Sequence, residues 1–161
     1  MSMSQPIAQL VPDSPFANFS VRAACATDAH ALASLLQQLG DDEPRPDPVI
    51  LAMRLNEPNQ GRVVLVAERE GKLLGTCTVH LIEHLAHNFA RSAILEDVVV
   101  DANMRGLGVG QALVHKAAER ARNWGCYKMA LSSRDNRADA QRFYQTLGYQ
   151  LHGVSLVLEP V

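Results

Sequence analysis

The sequence predicts a mixed α/β domain in which helices flank a central sheet whose strands are mostly antiparallel. Three observations lead to this fold class: a long stretch of alternating β-branched residues in mid-chain, a buried strand that runs into a glycine-rich turn, and a strand between the last two amphipathic helices. The predicted order is one strand, two helices, three strands, then helix, strand, helix and strand. The second half therefore contains one βαβ unit.

Size and charge describe one ordinary globular domain. The 161 residues include 15 Lys and Arg against 17 Asp and Glu, which gives a formal charge of -2, and 47% of the residues are hydrophobic. That apolar content excludes a disordered chain, and the longest uncharged apolar run is far short of the roughly 18 residues that a membrane helix needs. The near-neutral charge also argues against a nucleic-acid backbone as the main partner.

The three cysteines, Cys25, Cys77 and Cys126, are widely spaced and form no CxxC pair. This spacing indicates neither a disulfide framework nor a zinc site, so no metal is expected. The first residues lack a basic segment followed by an apolar one, which is the pattern of a secretory signal. We therefore expect a cytoplasmic protein without a membrane partner.

Residues 1–17 contain three prolines and no periodicity, which predicts an N-terminal tail, and the folded domain then spans residues 18–161. Helical spacing of apolar residues, followed by period-two alternation of β-branched residues, defines the first half of that domain. The predicted elements are a strand over 19–24, a helix that opens at Thr27 and Asp28 and ends at Gly40, a short helix around 50–55, and a hairpin over 62–84.

The second half alternates strands and helices. A valine-rich run predicts a buried strand, and each helix that follows has an apolar stripe and a glycine at its end, at Gly125 and Gly148. The predicted elements are a strand over 91–101, a helix from about Gly108 to Trp124, and strands over 126–133 and 149–158 on either side of a helix over 137–147.

The most informative stretch is the glycine-rich turn within VVVDANMRGLGVGQALV, residues 98–114. Glycines let backbone N–H groups approach an anion closely, and a helix that begins there adds about half a positive charge at its first turn. The dinucleotide pattern G-x-G-x-x-G fails at Gln111, and a P-loop needs Lys and Ser or Thr where Gln111 and Ala112 stand. A diphosphate cradle and a plain turn whose glycines only relieve crowding are the remaining alternatives.

Two motifs resemble the GNAT superfamily of N-acetyltransferases. The run Arg105-Gly106-Leu107-Gly108-Val109-Gly110 after a valine strand resembles the acetyl-CoA pyrophosphate loop of that family, R/Q-x-x-G-x-G/A. Downstream, six positions are similar to the pattern A-x-x-F/L-Y-x-x-L-G-F/Y on the family's last helix: Ala140, Phe143, Tyr144, Leu147, Gly148 and Tyr149. The resemblance covers residues 19–158 and implies the GNAT acyl-CoA N-acyltransferase fold, with acetyl-CoA as cosubstrate.

The resemblance also implies which residues bind coenzyme A. The backbone of the strand before the turn would hold the pantetheine arm and meet the thioester oxygen, and the turn with the start of its helix would bind the pyrophosphate. The family often has an asparagine seven residues before the tyrosine, where this chain has Arg137 preceded by Asn136. The implied contacts are Val98, Val99, Val100, Arg105, Gly106, Leu107, Gly108, Val109, Gly110, Gln111, Asn136 and Tyr144.

Acetyl transfer from a thioester to an amine needs a base for the amine, a stabilised oxyanion and an acid for the departing thiolate. By resemblance, Tyr144 matches the tyrosine that protonates the thiolate in many members, and Glu96 matches the carboxylate that often takes the amine proton through water. Asp97 is the second candidate base, because successive strand residues face opposite sides unless a bulge intervenes. A core ring for Tyr144 and an ion pair for either acid are the structural alternatives.

The acceptor side has several candidate residues. His80, His84 and His87 lie around the end of the third strand, where one of them could act as base or substrate contact and where metal ligation is not expected. Three arginines would suit a phosphate or phosphonate group, whereas a run of acids would suit a polycationic aminoglycoside. These sets are Arg45, Arg54 and Arg91, and Asp41, Asp42 and Glu43.

Together these motifs predict an acetyl-CoA-dependent N-acetyltransferase that acts on a primary amine of a small molecule by direct attack in a ternary complex. ILEDVVV and GCYK resemble glucosamine-6-phosphate acetyltransferases, whereas the run DAQRFY resembles aminoalkylphosphonate acetyltransferases. Acetylation of a protein lysine or N-terminus, and a coenzyme A-binding module without chemistry, are the alternatives. Members of the family are frequently dimers, so the resemblance makes a homodimer one candidate assembly.

Overall fold

The chain forms one five-stranded sheet with helices on both faces, in a computed structural model that describes residues 18–133 and 138–158. The strands are β1 (Ser20–Ala23), β2 (Arg62–Arg69), β3 (Lys72–Glu83), β4 (Arg91–Val100) and β5 (Cys126–Ala130). The helices are α1 (Ala29–Leu36), α2 (Pro48–Asn56), the single turn α3 (Ala86–Phe89), α4 (Val109–Asn123) and α5 (Ala138–Thr146). The tail predicted over residues 1–17 lies outside the described residues.

The sheet is mixed, as the sequence predicts. Strands β1 to β4 pair antiparallel with their neighbours in chain order, and β5 runs parallel to β4 after the crossover through α4. This order leaves β5 at one edge of the sheet. The predicted fold class, a mostly antiparallel mixed sheet flanked by helices, is confirmed.

Period-two alternation sends the strand side chains to two cores, one on each face of the sheet. Leu65 and Ala67 of β2 belong to the core that contains Leu113 of α4. Their neighbour Val66 belongs to the core that contains Leu32 of α1. Because both faces are covered by helices, the middle of β3 is buried at every position rather than at alternate ones.

Helix ends follow the local signals in the sequence. Asp47 accepts hydrogen bonds from Val49 N (2.7 Å) and Ile50 N (3.4 Å) at the start of α2, and Pro48 takes the first helical position. Gly40 ends the turn after α1 as predicted, but with an extended backbone (φ -160°) rather than a left-handed one. Within the two described ranges, no helix is long and apolar enough to cross a membrane.

The last predicted element is wrong, because residues 149–158 do not form a strand. Gly148 ends α5 with a left-handed backbone (φ 91°), and Tyr149 N donates to Tyr144 O at 3.0 Å. A strand needs a backbone partner as well as an apolar sequence. Within the described part of the chain, residues 150–158 make no backbone–backbone hydrogen bond, and they are exposed.

The connection between β3 and β4 is strained. His87, Asn88 and Phe89 have positive φ angles of 53°, 57° and 58°, and none of them is glycine. A left-handed backbone costs such residues about 1–2 kcal/mol each. Residues 85–89 are all exposed, so few contacts of the chain itself hold this conformation.

A buried carboxylate ties β1 to the start of α1. Asp28 is 8% exposed, and Arg22 Nη1 and Nη2 donate to its two oxygens at 2.7 and 2.9 Å. Cys25 N donates to Asp28 Oδ2 at 2.8 Å, and Arg22 Nε donates to Glu68 Oε2 at 2.8 Å. The hydrogen bonds from Arg22 are the main cause that lowers the pKa of Asp28 to about 2. The ionised carboxylate therefore stabilises the folded chain.

Asp28→Asn is expected to lower the free energy of unfolding by about 2 kcal/mol at about pH 7. The reason is that the pKa of Asp28 is lower in the folded chain than its unfolded-state value of about 4, so the ionised carboxylate stabilises the fold above about pH 4. The wild-type advantage is lost as the pH falls from about 4 towards 2, where the folded carboxylate takes up its proton. Urea unfolding of both proteins at about pH 7 and about pH 3 checks this linkage.

Asp139→Asn is the matched control for this prediction. The Asp139 side chain is 94% exposed, and its ion pair with Arg142 lies on the surface, where such pairs contribute little. We expect no measurable change in unfolding free energy for the control at either pH. Equal losses in the two variants, or a loss in Asp28→Asn that does not depend on pH, would contradict the assignment.

Candidate functional site

Strands β4 and β5 separate halfway along β4. Their parallel pairing joins Arg91 to Cys126 and ends with Ile94 opposite Ala130. Strand β4 continues to Val100 and remains paired there with Gly75 of β3. Residues 95–100 therefore have β3 on one side and, among the described residues, no paired strand on the other; we call this open side the gap.

The backbone direction in β4 alternates between β3 and this gap. Asp101 N donates to Leu74 O of β3 at 2.9 Å, so the backbone groups of Val99, two residues earlier, also face β3. The backbone groups of Val98 and Val100 therefore face the gap. Arg105 Nε donates to Val100 O at 3.4 Å, which ties the following turn to this edge. Of the three predicted valines, two have their backbone groups directed into the gap.

A β-bulge lies where the two candidate bases stand. Val99 pairs with Thr76 and Glu96 pairs with Thr78, so Asp97 and Val98 together oppose one residue of β3. Asp97 has a positive φ of 52°. The bulge interrupts the alternation that would bury one acid of the pair, and both Glu96 and Asp97 are exposed. Both therefore remain candidates for the base.

Glu96 stands two residues beyond Ile94, the last β4 residue that pairs with β5, and so lies where the gap opens. Within the described residues, neither Glu96 nor Asp97 makes a side-chain hydrogen bond or an ion pair. The predicted alternative, a structural ion pair, therefore finds no support in this part of the chain. An exposed carboxylate at the vertex of the gap is free to accept a proton from a bound amine or water.

The glycines of the turn have two different roles. Gly106 (φ 75°) and Gly108 (φ 82°) are left-handed, and a Cβ at either would meet no atom of the described residues within 4 Å. Glycine is needed at both positions because the backbone there is left-handed. The alternative in which these two glycines relieve crowding is therefore wrong for both. A Cβ at Gly110 would lie 3.3 Å from Phe143 Cζ and 3.5 Å from Val100 Cγ2. Gly110 therefore does allow α5 and β4 to pack closely against the start of α4.

The start of α4 presents unpaired donors. Gly108 is the N-terminal cap and has no side chain to supply a capping bond, and the first backbone bond into the helix runs from Ala112 N to Gly108 O at 3.0 Å. In the described ranges, the N–H groups of Val109, Gly110 and Gln111 have no backbone acceptor. Three N–H groups and the positive end of the helix dipole can therefore receive an anion, and Arg105 adds a charge beside them.

Gln38, which no sequence pattern indicates, clamps the residues before this turn to the α1 side of the fold. Gln38 Nε2 donates to Asp101 Oδ2 at 3.3 Å, and Gln38 Oε1 accepts from Ala102 N at 3.0 Å. Asp101 also accepts from Asn103 N at 3.0 Å, and this bond is the main cause that lowers the pKa of Asp101. A lone glutamine before Gly40 carries no pattern that could predict contacts more than sixty residues away.

For acetyl-CoA, the cosubstrate that the sequence predicts, Gln38→Ala is expected to raise the KM about fivefold, which corresponds to about 1 kcal/mol for a lost hydrogen-bonding side chain. Its kcat should change little, because Gln38 positions the turn and contributes no group to the gap. Gln37→Ala is the control, since Gln37 is exposed and adjacent. Initial rates against acetyl-CoA concentration test the prediction, and equal KM values for the two variants would contradict it.

Helix α5 carries Tyr144 and is followed by Tyr149, and both rings pack against the core that contains Leu113 of α4. The Tyr144 ring lies 5.1 Å from that of Phe143 and 5.6 Å from that of Tyr149. Tyr144 is half-buried, whereas the Tyr149 hydroxyl is buried without a hydrogen-bond partner among the described residues. Burial raises the pKa of Tyr149 to about 12. Asn136, the predicted replacement for the family's asparagine, lies outside the described residues.

The predicted acceptor residues are scattered. Arg54 and Arg91 are already paired, with Glu57 at 3.3 Å and Glu83 at 2.9 Å, while Arg45 donates to Ser34 Oγ at 3.3 Å. His84 Nε2 lies 2.8 Å from Ser92 Oγ, far along the sheet from the turn. In the part of the chain that the structure describes, no three His, Cys, Asp or Glu side chains are arranged to hold a metal ion.

A cleft of about 320 Å³ lies between the start of α1 and α2. Its walls are mostly apolar and include His30, Val49 and Met53. Among the described residues, none of those predicted for catalysis or cofactor binding lines this cleft.

Comparisons with known proteins agree on one family. The model of the acetyltransferase (GNAT) family matches residues 29–149. The glucosamine 6-phosphate N-acetyltransferase of Trypanosoma brucei brucei is 33% identical over 51% of this chain and 54% of its own length. The aminoalkylphosphonate N-acetyltransferase of Salmonella typhimurium is 36% identical over 53% of this chain and 54% of its own length. The chain thus spans about half the length of these relatives. The crystal structure of a Trypanosoma brucei acetyltransferase is 28% identical, with a TM-score of 0.76 over 88% of this chain and 99% of that one.

Proposed function

The chain belongs to the GNAT family of acetyltransferases, and from this we propose that it transfers an acetyl group from acetyl-CoA to a primary amine of a small molecule. One observation carries the proposal: β4 leaves β5 at Ile94, and the same strand then leads directly into a turn that offers unpaired N–H groups at a helix start. The gap suits the extended arm of coenzyme A and the turn suits its diphosphate.

The residues of the turn contribute to phosphate binding in three different ways. Gly106 and Gly108 give the backbone its left-handed shape, the N–H groups of Val109, Gly110 and Gln111 donate to phosphate oxygens, and Arg105 supplies charge. Acetyl-CoA supplies the activated acetyl group as a thioester. In the gap, the backbone groups of Val98 and Val100 bind the pantetheine amides and the thioester oxygen. Leu107 and Val99 contribute to cofactor binding only by maintaining the backbone conformation of the turn and of β4.

The chemistry needs no covalent enzyme intermediate. Glu96 takes the proton of the attacking amine, directly or through water, with Asp97 as the second candidate. Backbone N–H groups of β4 stabilise the oxygen as it gains negative charge. The C–N bond forms, the C–S bond breaks, and Tyr144 donates its phenolic proton to the departing sulfur. The phenolate then regains a proton from solvent and Glu96 releases its proton to solvent, so the enzyme is unchanged after each turnover.

Amino sugar phosphates and aminoalkylphosphonates are the first acceptor classes to test, because the two relatives reported above have these names. Arg45 is the candidate phosphate anchor, since its guanidinium has no carboxylate partner among the described residues, whereas Arg54 and Arg91 each pair with a glutamate. We further propose a cytoplasmic location, because Cys25, Cys77 and Cys126 are all free thiols, as is usual in a reducing compartment.

A thiol-release screen with acetyl-CoA tests the function. The panel contains aminoalkylphosphonates, amino sugar phosphates, aminoglycosides, polyamines and peptides. We expect thiol release with at least one small primary amine and none with the peptides. Release with peptides alone would identify a protein acetyltransferase instead. Tight binding of acetyl-CoA without thiol release from any amine would identify a binding module.

A further inference from the structure

The acid and the base of the proposed reaction lie on opposite faces of the sheet. Tyr144 packs against the core that contains Leu113 of α4. In β4, Leu95 belongs to that same core, so its neighbour Glu96 points to the other face, where the core around Leu32 of α1 lies. In the proposed reaction the amine therefore approaches the gap from the α1 face, and the rest of the acceptor molecule extends over that face.

Four side chains, which we call the acceptor row, cross this face from the gap to β2: Glu96, Ile94, His80 and Arg62. Ile94 lies two residues before Glu96 in β4, so both point to the α1 face. Ile94 pairs with His80 of β3, and His80 pairs with Arg62 of β2. Directly paired residues of neighbouring strands share a face, so the whole row lies on one side of the sheet. Because neighbouring strands lie about 4.8 Å apart and each residue rises about 3.4 Å, the backbones of Glu96 and Arg62 are roughly 12 Å apart.

The two ends of the acceptor row carry opposite charges. Glu96 provides a carboxylate beside the gap, and Arg62 provides a guanidinium at the far end. Arg62 Nη2 donates to Arg54 O at 2.9 Å, and among the described residues the Arg62 guanidinium has no carboxylate partner. The His80 ring makes no hydrogen bond in this part of the chain. Glu96 is exposed and His80 and Arg62 are half-buried, so each of the three side chains can contact a ligand.

We propose that Arg62 and His80 bind a phosphate or phosphonate group of the acceptor while the acceptor's amine lies at Glu96. A guanidinium presents its N–H groups as a fork that matches the oxygens of such an anion, and an imidazole N–H donates a further hydrogen bond. A small molecule with an amine at one end and an anionic group at the other is complementary to the charges of the acceptor row. This inference rests on the proposed acetyl transfer to a small amine, and it names the residues that select the acceptor.

Arg45, which its lack of a carboxylate partner favours as an anchor, is less well placed than Arg62. Its guanidinium donates to His30 O at 3.5 Å and to Ser34 Oγ at 3.3 Å. Both His30 and Ser34 are exposed, whereas Leu32 between them is buried. Arg45 therefore lies on the solvent side of α1, and the helix separates it from the sheet face that carries the acceptor row.

Matched pairs of acceptors test the anion site: glucosamine 6-phosphate against glucosamine, and aminoethylphosphonate against ethylamine. We expect Arg62→Gln to lower kcat/KM for the anionic member of a pair about thirtyfold, and His80→Phe to lower it about fivefold. Both variants should acetylate the neutral members at wild-type kcat/KM, which also shows that they fold. Arg69→Gln is the matched control, because Arg69 is a half-buried arginine at the other end of β2, where it pairs with Lys72. The control should leave kcat/KM unchanged for both members.

Calorimetric binding of aminoethylphosphonate in the presence of coenzyme A gives a second readout that needs no turnover. We expect Arg62→Gln to raise the Kd about thirtyfold and Arg69→Gln to leave it unchanged. Binding that depends on Arg62, without acetylation of any amine, would uphold the anion site and contradict the proposed activity. Acetylation with equal kcat/KM in the wild type and Arg62→Gln would overturn the anion site and leave the proposed activity intact. A loss in Arg45→Gln that Arg62→Gln lacks would also overturn it, because the anchor would then be Arg45.

Discussion

Tyr144→Phe is expected to lower kcat for acetyl transfer by about a hundredfold, the lower end of the range for a lost general acid. The KM for acetyl-CoA should stay nearly unchanged, because the phenylalanine ring keeps the contacts with Phe143 and Tyr149 that fix this part of α5. The physical reason for the loss is that the departing thiolate must then take its proton from water. Steady-state rates with a thiol-sensitive dye measure both constants.

Tyr149→Phe is the matched control for Tyr144→Phe. The Tyr149 hydroxyl is buried without a partner in the described part of the chain, and burial raises its pKa to about 12, so it is a poor proton donor to a ligand. Removing a buried, unpaired hydroxyl should leave kcat unchanged and leave stability unchanged or slightly higher. An unchanged kcat in Tyr144→Phe, or the same loss in both variants, would remove Tyr144 from the acid role.

Gly75→Ala is expected to lower the free energy of unfolding by about 3 kcal/mol, the cost of overpacking a rigid core. A Cβ at Gly75 would lie 2.9 Å from Val99 O, 3.1 Å from Leu113 Cδ1 and 3.2 Å from Val109 Cγ1. The closest of these atoms belongs to the backbone of β4, so the strand itself must move. Because Val109 begins α4, the same displacement should also weaken acetyl-CoA binding. Urea unfolding and binding calorimetry measure the two effects.

Gly61→Ala is the control for Gly75→Ala. A Cβ at Gly61 would have its closest contact at 3.7 Å, which is ordinary van der Waals distance. The substitution should therefore leave unfolding free energy and acetyl-CoA affinity at wild-type values. A Gly75→Ala protein as stable as this control would show that β4 and α4 can separate without cost, contrary to the close packing described above.

Features that depend on nearby residues could be predicted from the sequence. The β2–β3 hairpin, the apolar stripe of α4 and the turn at Gly106 and Gly108 all arise from periodicity or from glycines at fixed places. The glycine-rich motif that resembles the family lies on this turn, which is why the predicted turn and the observed one coincide. The sequence indicates a bulge at Glu96 and Asp97 only as one alternative, because an extra residue in β4 depends on the register of that strand with β3.

Features that depend on distant partners could not be predicted. Nothing in the sequence around Gln38 indicates that its amide meets Asp101 and Ala102. Residues 150–158 illustrate the opposite case: their apolar residues favour a strand, but a strand also needs backbone hydrogen bonds to a neighbour. In the described part of the chain residues 150–158 make none, so the predicted strand over 149–158 does not form.

The most direct test of the central claim is a single-turnover reaction with acetyl-CoA that carries an isotopic label in its acetyl group, analysed by mass spectrometry. The amine used is the best acceptor from the thiol-release screen. The account predicts that the label appears on the amine nitrogen, with one free thiol released for each labelled product and no label on the protein. Label that is retained on the protein, or thiol released without labelled amine, would contradict direct transfer through the gap between β4 and β5.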